Sequence, residues 1–231
     1  MKVVTIHQPD FLPWMPFFNR IISCDLFIVL DSVQYVRRGW HNRVKIKSPN
    51  GINWLTVPVK SKNKFTQELR NTEIDNSTKW KSKHLGLLLQ CYGRSKYFDI
   101  VFPILEQVYS NEHRLLIDLN MELTNAILKF LEISSSILFS SEYSAIGTKN
   151  NLLIALLKEV RATDYLSGLG ARNYLEESLY NKNKINVTWQ DYTPPIYLQA
   201  PENEFIPGLS IIDCLFHCGG TKTREFIESA T

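Results

Sequence analysis

Short apolar runs and helical stripes alternate along this chain, and their order predicts an α/β protein. Val3-Val4-Thr5-Ile6 and Leu26-Phe27-Ile28-Val29-Leu30 are β-branched or continuously apolar, the texture of buried strands. Between them Pro9, Pro13 and Pro16 exclude a regular ladder or a helix interior until about Pro16. From there Phe17, Phe18, Ile21 and Ile22 recur at helical spacing. Strand, helix and strand in so short a stretch predict a βαβ unit with parallel strands and a right-handed crossover. Ligands of open α/β sheets sit beyond the carboxyl ends of the strands. His7, Gln8, Asp31 and Gln34 all fall just past such ends.

After Asp31 the pattern changes to polar–apolar alternation, as in Arg43-Val44-Lys45-Ile46-Lys47 and Trp54-Leu55-Thr56-Val57. With Asn50-Gly51 between the runs, this predicts an antiparallel hairpin over about 41–58, with a loop longer than two residues and a strongly basic exposed face. Residues 60–79 are polar and read as loop. A helical block follows over about 79–131. Its first stripe is Trp80, Leu85, Leu88 and Leu89, its second runs from Tyr97 to Tyr109 with Pro103 near a turn or kink, and its third spans Leu115 to Leu131. Strand patterns return at 137–139, 163–166 and 185–189. Helices are predicted from Asn150 to Arg161, near Arg172 to Ser178, and from Ile211 to Phe216. The βαβ elements bracket the helical block, so residues 1–231 read as one α/β domain: a mostly parallel sheet with an inserted β-hairpin and a helical subdomain.

Composition narrows the function classes. The chain has 231 residues, 44% of them hydrophobic, and a formal net charge of +3, which describes a folded protein with no electrostatic case for nucleic acid. No apolar run approaches the ~18 residues that a membrane span requires, so no membrane insertion is expected. The N-terminal stretch enters a strand with no secretory h-region, and the four cysteines are scattered. Reduced thiols and a cytoplasmic setting are therefore expected.

Several clusters carry candidate chemistry. Ser167-Gly168-Leu169-Gly170-Ala171-Arg172 lies between a strand and a predicted helix start, where backbone N–H groups, a helix N-terminus and a guanidinium suit an anion. A tight turn needing positive φ explains the same glycines. His7 at a strand end suits a general base or a phosphate ligand, and equally a hydrogen-bonded structural role. Arg37-Arg38-Gly39-Trp40-His41-Asn42-Arg43 mixes cations, an aromatic and an amide, able to clamp phosphates and stack a ring, or to form a solvated basic hairpin. Cys214, His217 and Cys218 share one helical side. A structural zinc takes four ligands and no second pair exists, so no metal is expected there. No Walker A, GxSxG, HExxH or full dinucleotide fingerprint is present, and no cofactor is assigned.

The segments IHQPDFLPW, LDSVQYVRRGWHNRVKIK, WLTVPV, YLSGLGARNYL, WQDY and FIPGLSIIDCLF resemble, in order and over nearly the whole chain, the WbqC-like protein family. Pro16 departs from the glycine expected in many members. The resemblance implies a place in bacterial O-antigen or other surface-polysaccharide biosynthesis. Its expected activity is acylation or aminoacylation of the amino group of a nucleotide-linked amino sugar by an activated acyl donor. On that reading Arg37, Arg38, His41, Asn42 and Arg43, with Gly168, Gly170 and Arg172, hold the diphosphate or donor. His7 or Asp31 accepts the amine's proton, and Gln8, Gln34, Gln190 and Asp191 orient the sugar. The architecture also resembles the Rossmann-like nucleotidylyltransferase folds, which include pantothenate synthetase. Trp14-Met15-Pro16-Phe17 lacks both histidines of their His-x-Gly-His motif. An adenylate-forming or nucleotidyl-transferring enzyme and a non-catalytic sugar-nucleotide-binding or scaffold protein remain the alternatives.

Overall fold

The apolar runs become a five-stranded parallel sheet in the computed structural model, which describes residues 1–62, 64, 66–200 and 204–229. The strands are β1 (Val3–His7), β2 (Leu26–Val29), β5 (Ile137–Phe139), β6 (Asp164–Ser167) and β7 (Asn186–Trp189), in the order β5-β2-β1-β6-β7. A separate antiparallel pair, β3 (Arg43–Ser48) and β4 (Gly51–Thr56), is the predicted hairpin. The helices are α1 (Met15–Ile22), α2 (Trp80–Tyr92), α3 (Phe98–Ser110), α4 (Leu116–Phe130), α5 (Lys149–Glu159), α6 (Glu177–Lys182) and α7 (Ile211–Glu228).

The alternation within β2 explains why its sequence carries no polar position. Phe27 and Val29 face a core shared with α1, the hairpin, α2 to α4 and α7, whereas Leu26 and Ile28 face α5 and α6. Both sides of the strand are thus covered, as parallel sheets require. Each such side chain contributes roughly 1.5–3 kcal/mol by leaving water.

Several expectations need correction. The hairpin loop has only two residues, Pro49 and Asn50, because Ser48 pairs with Gly51, whose φ of +105° a side chain would disfavour. Its basic face is interrupted, since Lys47 is buried and donates to the Glu204 carbonyl at 2.8 Å. The inward stripe of α2 is Trp80, His84, Leu88 and Tyr92, one every fourth residue, and Leu89 is exposed. Pro103 lies inside α3 and does not end it. It stands on the exposed side, where the carbonyl left without a donor can turn to water. No helix starts at Arg172. A 3-10 turn at Leu169–Ala171 comes first, and α6 begins only at Glu177. Finally, α7 runs well beyond Phe216, with a kink at Gly219 (φ 74°, ψ 179°). A Cβ there would lie 2.7 Å from Tyr97.

The strand order places the site. The chain steps outward from β1 to β2 and β5, then returns to the other side of β1 for β6 and β7. Between β1 and β6 the direction of winding reverses, which opens a crevice at the carboxyl ends of those two strands. The ladder between them stops after Val3↔Asp164 and Val4↔Tyr165, and Thr5 Oγ1 then donates to the Leu166 carbonyl at 3.0 Å.

Asn120 of α4 locks the loop beyond β1. Its buried Nδ2 donates to the carbonyls of Pro9 at 2.9 Å and His41 at 2.8 Å, tying that loop to the segment before the hairpin. Asn120→Ala strands two acceptors, and unfolding stability should fall by about 1–3 kcal/mol. Urea denaturation checks this as a lower midpoint with an unchanged slope.

Candidate functional site

The His7–Trp14 loop is shaped by its prolines and pinned on three sides. The Phe11 N–H donates to the Trp40 carbonyl at 3.0 Å. Leu12, buried at a positive φ of 44°, presents its carbonyl to Ser210 Oγ at 2.7 Å. The Ile211 N–H donates to the Pro13 carbonyl, and the Ser210 N–H to that of Lys45, each at 3.0 Å. One serine thereby joins the loop, the hairpin and the start of α7. A left-handed leucine is costly, and a fully buried, hydrogen-bonded setting is where such a conformation persists.

Beside this loop lies a cleft of about 600 Å³. Its walls include His7 from the end of β1, Arg20 from α1, Gly168 beyond β6, Gln190 beyond β7, and Trp40 and Lys45 from the hairpin side.

Arg20 is the centre of the cleft's electrostatics. It is 4% exposed and forms no salt bridge among the described residues. Nη1 donates to Gln190 Oε1 at 2.7 Å, and the buried Nε has no partner among the described residues. Gln190 is held in turn, since its Nε2 donates to the Pro16 carbonyl at 2.9 Å and to Asn19 Oδ1 at 2.7 Å. Burial lowers the guanidinium pKa, opposed by Tyr165 and Asp10, yet arginine stays charged at neutral pH. Gly168 makes room for it: a Cβ there would lie 2.6 Å from Arg20 Nη1.

His7 also lines the cleft, its side chain 30% exposed and its ring edge-on to Phe17 at 5.2 Å. Nδ1 lies 2.8 Å from the Gln8 carbonyl, a pure acceptor, so Nδ1 carries the proton and Nε2 the lone pair. Burial, and then the Arg20 charge, push its pKa down to about 4, with Asp10 opposing. The ring is therefore neutral at pH 7. Asp10 sits between two histidines, Oδ2 3.9 Å from His7 Nδ1 and Oδ1 3.4 Å from His41 Nδ1.

Of the residues expected from the sequence, His7, Gly168, Gly170 and Gln190 line the cleft. Gln8 borders it through the carbonyl that holds His7. Asp31 lies elsewhere, fully used as a cap: Oδ1 accepts from Ser140 Oγ at 2.8 Å and Ser141 N at 2.9 Å, and Oδ2 accepts from Ser141 Oγ at 2.6 Å. Gln34 forms a bridge with Glu68, and Arg37 reaches the Ser61 carbonyl. The Arg38 carbonyl accepts from Arg43, whose guanidinium lies 4.3 Å over the Trp54 ring. His41 is buried behind Asp10, and Asn42 Nδ2 donates to the Val57 carbonyl at 2.8 Å. Arg172 is exposed over the Trp189 ring at 5.4 Å, and Asp191 is exposed beyond β7. Both nitrogens of His217 are engaged, by the Asp213 carbonyl at 2.7 Å and the Ala200 N–H at 2.9 Å.

The cleft's buried cation is thus Arg20, a residue the chain's pattern hides. Asp10 and Lys45 also join the lining unannounced. The one available signal is the composition of α1, where Asn19-Arg20 is a polar pair inside an apolar helix and seven of eight residues are buried.

These features describe an α/β protein with a cationic, histidine-bearing cleft at the reversal point of a parallel sheet. Its sequence matches the model of the WbqC-like protein family over residues 8–225, and the chain belongs to that family. It is 37% identical over 220 residues, 95% of either chain, to the uncharacterized protein Rv1507c of Mycobacterium tuberculosis (strain ATCC 25618 / H37Rv). No solved structure matches it. Among the described residues no helix is long and apolar enough to cross a membrane.

Two predictions follow from this geometry. Gly168→Ala should keep the fold while displacing Arg20, so pyrophosphate affinity measured by calorimetry falls about tenfold beside a nearly unchanged melting curve. The second concerns acid. His7 and His84 both have pKa values lowered to about 4 in the folded chain, burial leading in each. Between pH 6.5 and about 4 the unfolded chain binds protons that the folded chain refuses, so stability falls as pH falls through that window. His7→Gln should flatten the decline, read from urea midpoints at pH 7, 5.5 and 4.5.

Proposed function

We propose that the protein is a cytoplasmic enzyme of bacterial surface-polysaccharide biosynthesis that acylates or aminoacylates the amino group of a nucleotide-linked amino sugar. The observation that carries this reading is a buried guanidinium that forms no salt bridge among the described residues, beside a neutral histidine. A charge desolvated without a counterion is costly, and an anionic substrate supplies one. Membership of the WbqC-like family, together with the pathway that the resemblance implies, supports this reading.

The roles follow from the chemistry. Arg20 binds phosphate or carboxylate oxygens through its planar fork. An ammonium has no lone pair, so the amine must shed a proton before or as it attacks. His7 Nε2 takes that proton. The nitrogen–acyl bond forms as the donor's acyl–leaving-group bond breaks, and the leaving group departs with the electron pair. Gln190 holds Arg20 in place.

The test is incubation of pure protein with a panel of nucleotide-linked amino sugars and acyl donors, reading product masses. An added acyl mass on the amine is expected. Pyrophosphate release dependent on ATP and Mg²⁺ would indicate an adenylate-forming enzyme, and tight binding without any product would indicate a binding protein. Arg20→Lys, which keeps charge but loses the fork, should weaken sugar-nucleotide binding by about one power of ten, and Arg20→Ala by one to two. His7→Gln should bind normally and lose roughly 10²–10⁴ in kcat. Unchanged affinity in a folded Arg20→Ala protein would remove the anion site.

A further inference from the structure

The hairpin side of the cleft carries a feature that acyl transfer does not use. Trp40 and Trp54 stack with ring centroids 5.7 Å apart and 27° between planes. Both are large apolar side chains left in water, 48% and 38% exposed. Cations brace the pair, with Arg43 at 4.3 Å from the Trp54 centroid and Lys45 Nζ at 5.5 Å from Trp54 and 5.7 Å from Trp40. The backbone of Trp40 is fixed too, since its carbonyl accepts from Phe11 N–H. Two exposed indoles held this firmly form a flat, preorganised surface. Trp40 and Lys45, but not Trp54, line the same cleft as Arg20.

We infer that the Trp40–Trp54 stack is the nucleobase platform of the cleft: the base of a nucleoside diphosphate lies on Trp40, and its phosphates run between Lys45 and Arg20. This rests on the reading of Arg20 as an anion site and deepens it by assigning the two ends of the ligand. Every base has a π-face that an indole can stack on. A cation at the platform's edge places the first phosphate, and a second cation further in takes the other. The amino sugar then reaches the His7 end, where the proton is accepted. Indole stacking is tolerant of base identity, so the platform selects for a base being present, and the sugar is read elsewhere.

The experiment is titration of the full chain with uridine diphosphate, guanosine diphosphate, inorganic pyrophosphate and glucosamine 1-phosphate, followed by calorimetry and tryptophan fluorescence. Both nucleotides are expected to quench the fluorescence and to bind more tightly than pyrophosphate. Trp40→Ala should weaken both nucleotides about ten- to a hundred-fold and leave pyrophosphate affinity unchanged. Trp40→Phe should restore part of the loss. Trp54→Ala, which removes the support and leaves the cleft lining intact, should weaken the nucleotides by a smaller factor. Arg20→Ala should weaken all four probes. Nucleotide affinity unmoved by Trp40→Ala, with Arg20→Ala still effective, overturns the platform and leaves the anion site standing. An equal loss for glucosamine 1-phosphate makes Trp40 a sugar platform and overturns the inference as well. Absence of binding by all four probes removes the anion reading on which it rests.

Discussion

Arg20 places a positive charge where little water reaches and, among the described residues, no salt bridge holds it, and much of the surrounding structure is arranged to tolerate that. Moving an ion out of water costs several kcal/mol even after relaxation. Part is offset by Gln190 Oε1, and part by the position of Arg20 in the last turn of α1, where the helix dipole favours a cation. The remainder appears as constraints on neighbours. Gly168 has no side chain because one would meet the guanidinium. Gln190 cannot rotate without giving up Pro16 and Asn19. His7 stays neutral, in part because its own proton would add a second charge.

The scaffold that holds this charge still is assembled from distant parts of the chain. Asn120 and Ser210 clamp the loop after β1 from either side, one from the helical block and the other from the start of α7. A second buried polar centre steadies the same region. Asp213, fully buried, accepts from Tyr92 Oη at 2.9 Å and Tyr197 Oη at 2.8 Å, and Tyr92 Oη accepts from the Lys47 N–H at 3.1 Å. Burial raises the Asp213 pKa, opposed in part by His217 and by the two hydroxyls. The network joins α2, α7 and the hairpin, so the strand that carries Lys45 has a fixed base.

The sheet was legible because burial on both faces leaves an unbroken apolar run, and the hairpin because one covered face leaves alternation. The site was legible only in part. A polar residue after a strand marks the carboxyl edge of the sheet, as it did for His7 and Gln190, but only strands beside the winding reversal border the cleft. Asp31 follows β2, one strand away from it, and caps a turn at Ser140 and Ser141 instead. Arg172 follows a glycine pair that looked like a strand-to-helix anion loop. The chain takes a 3-10 turn there, and the side chain lies over Trp189. Arg20 was hidden for the opposite reason. On a short helix an arginine reads as solvated, and what covers it, Gln190 and Gly168, comes from some 150 or more positions further along the chain. Local pattern carries no information about such a partner.

Arg20 and His7 also constrain each other, and that coupling bears on how a histidine with so low a pKa can act as a base. A base whose conjugate acid is destabilised is weak, and here burial is the larger cause and the Arg20 charge the next. An anion seated on Arg20 cancels much of that field. The proton affinity of His7 then rises by the part that the Arg20 charge accounts for, while burial still holds it down. Linkage makes the effect reciprocal: whatever the anion does for the proton on His7, the proton does for the anion. On the proposed function, the histidine becomes a stronger base as an anion settles on Arg20. On that proposal, proton acceptance at His7 is tied to anion binding through the charge of Arg20.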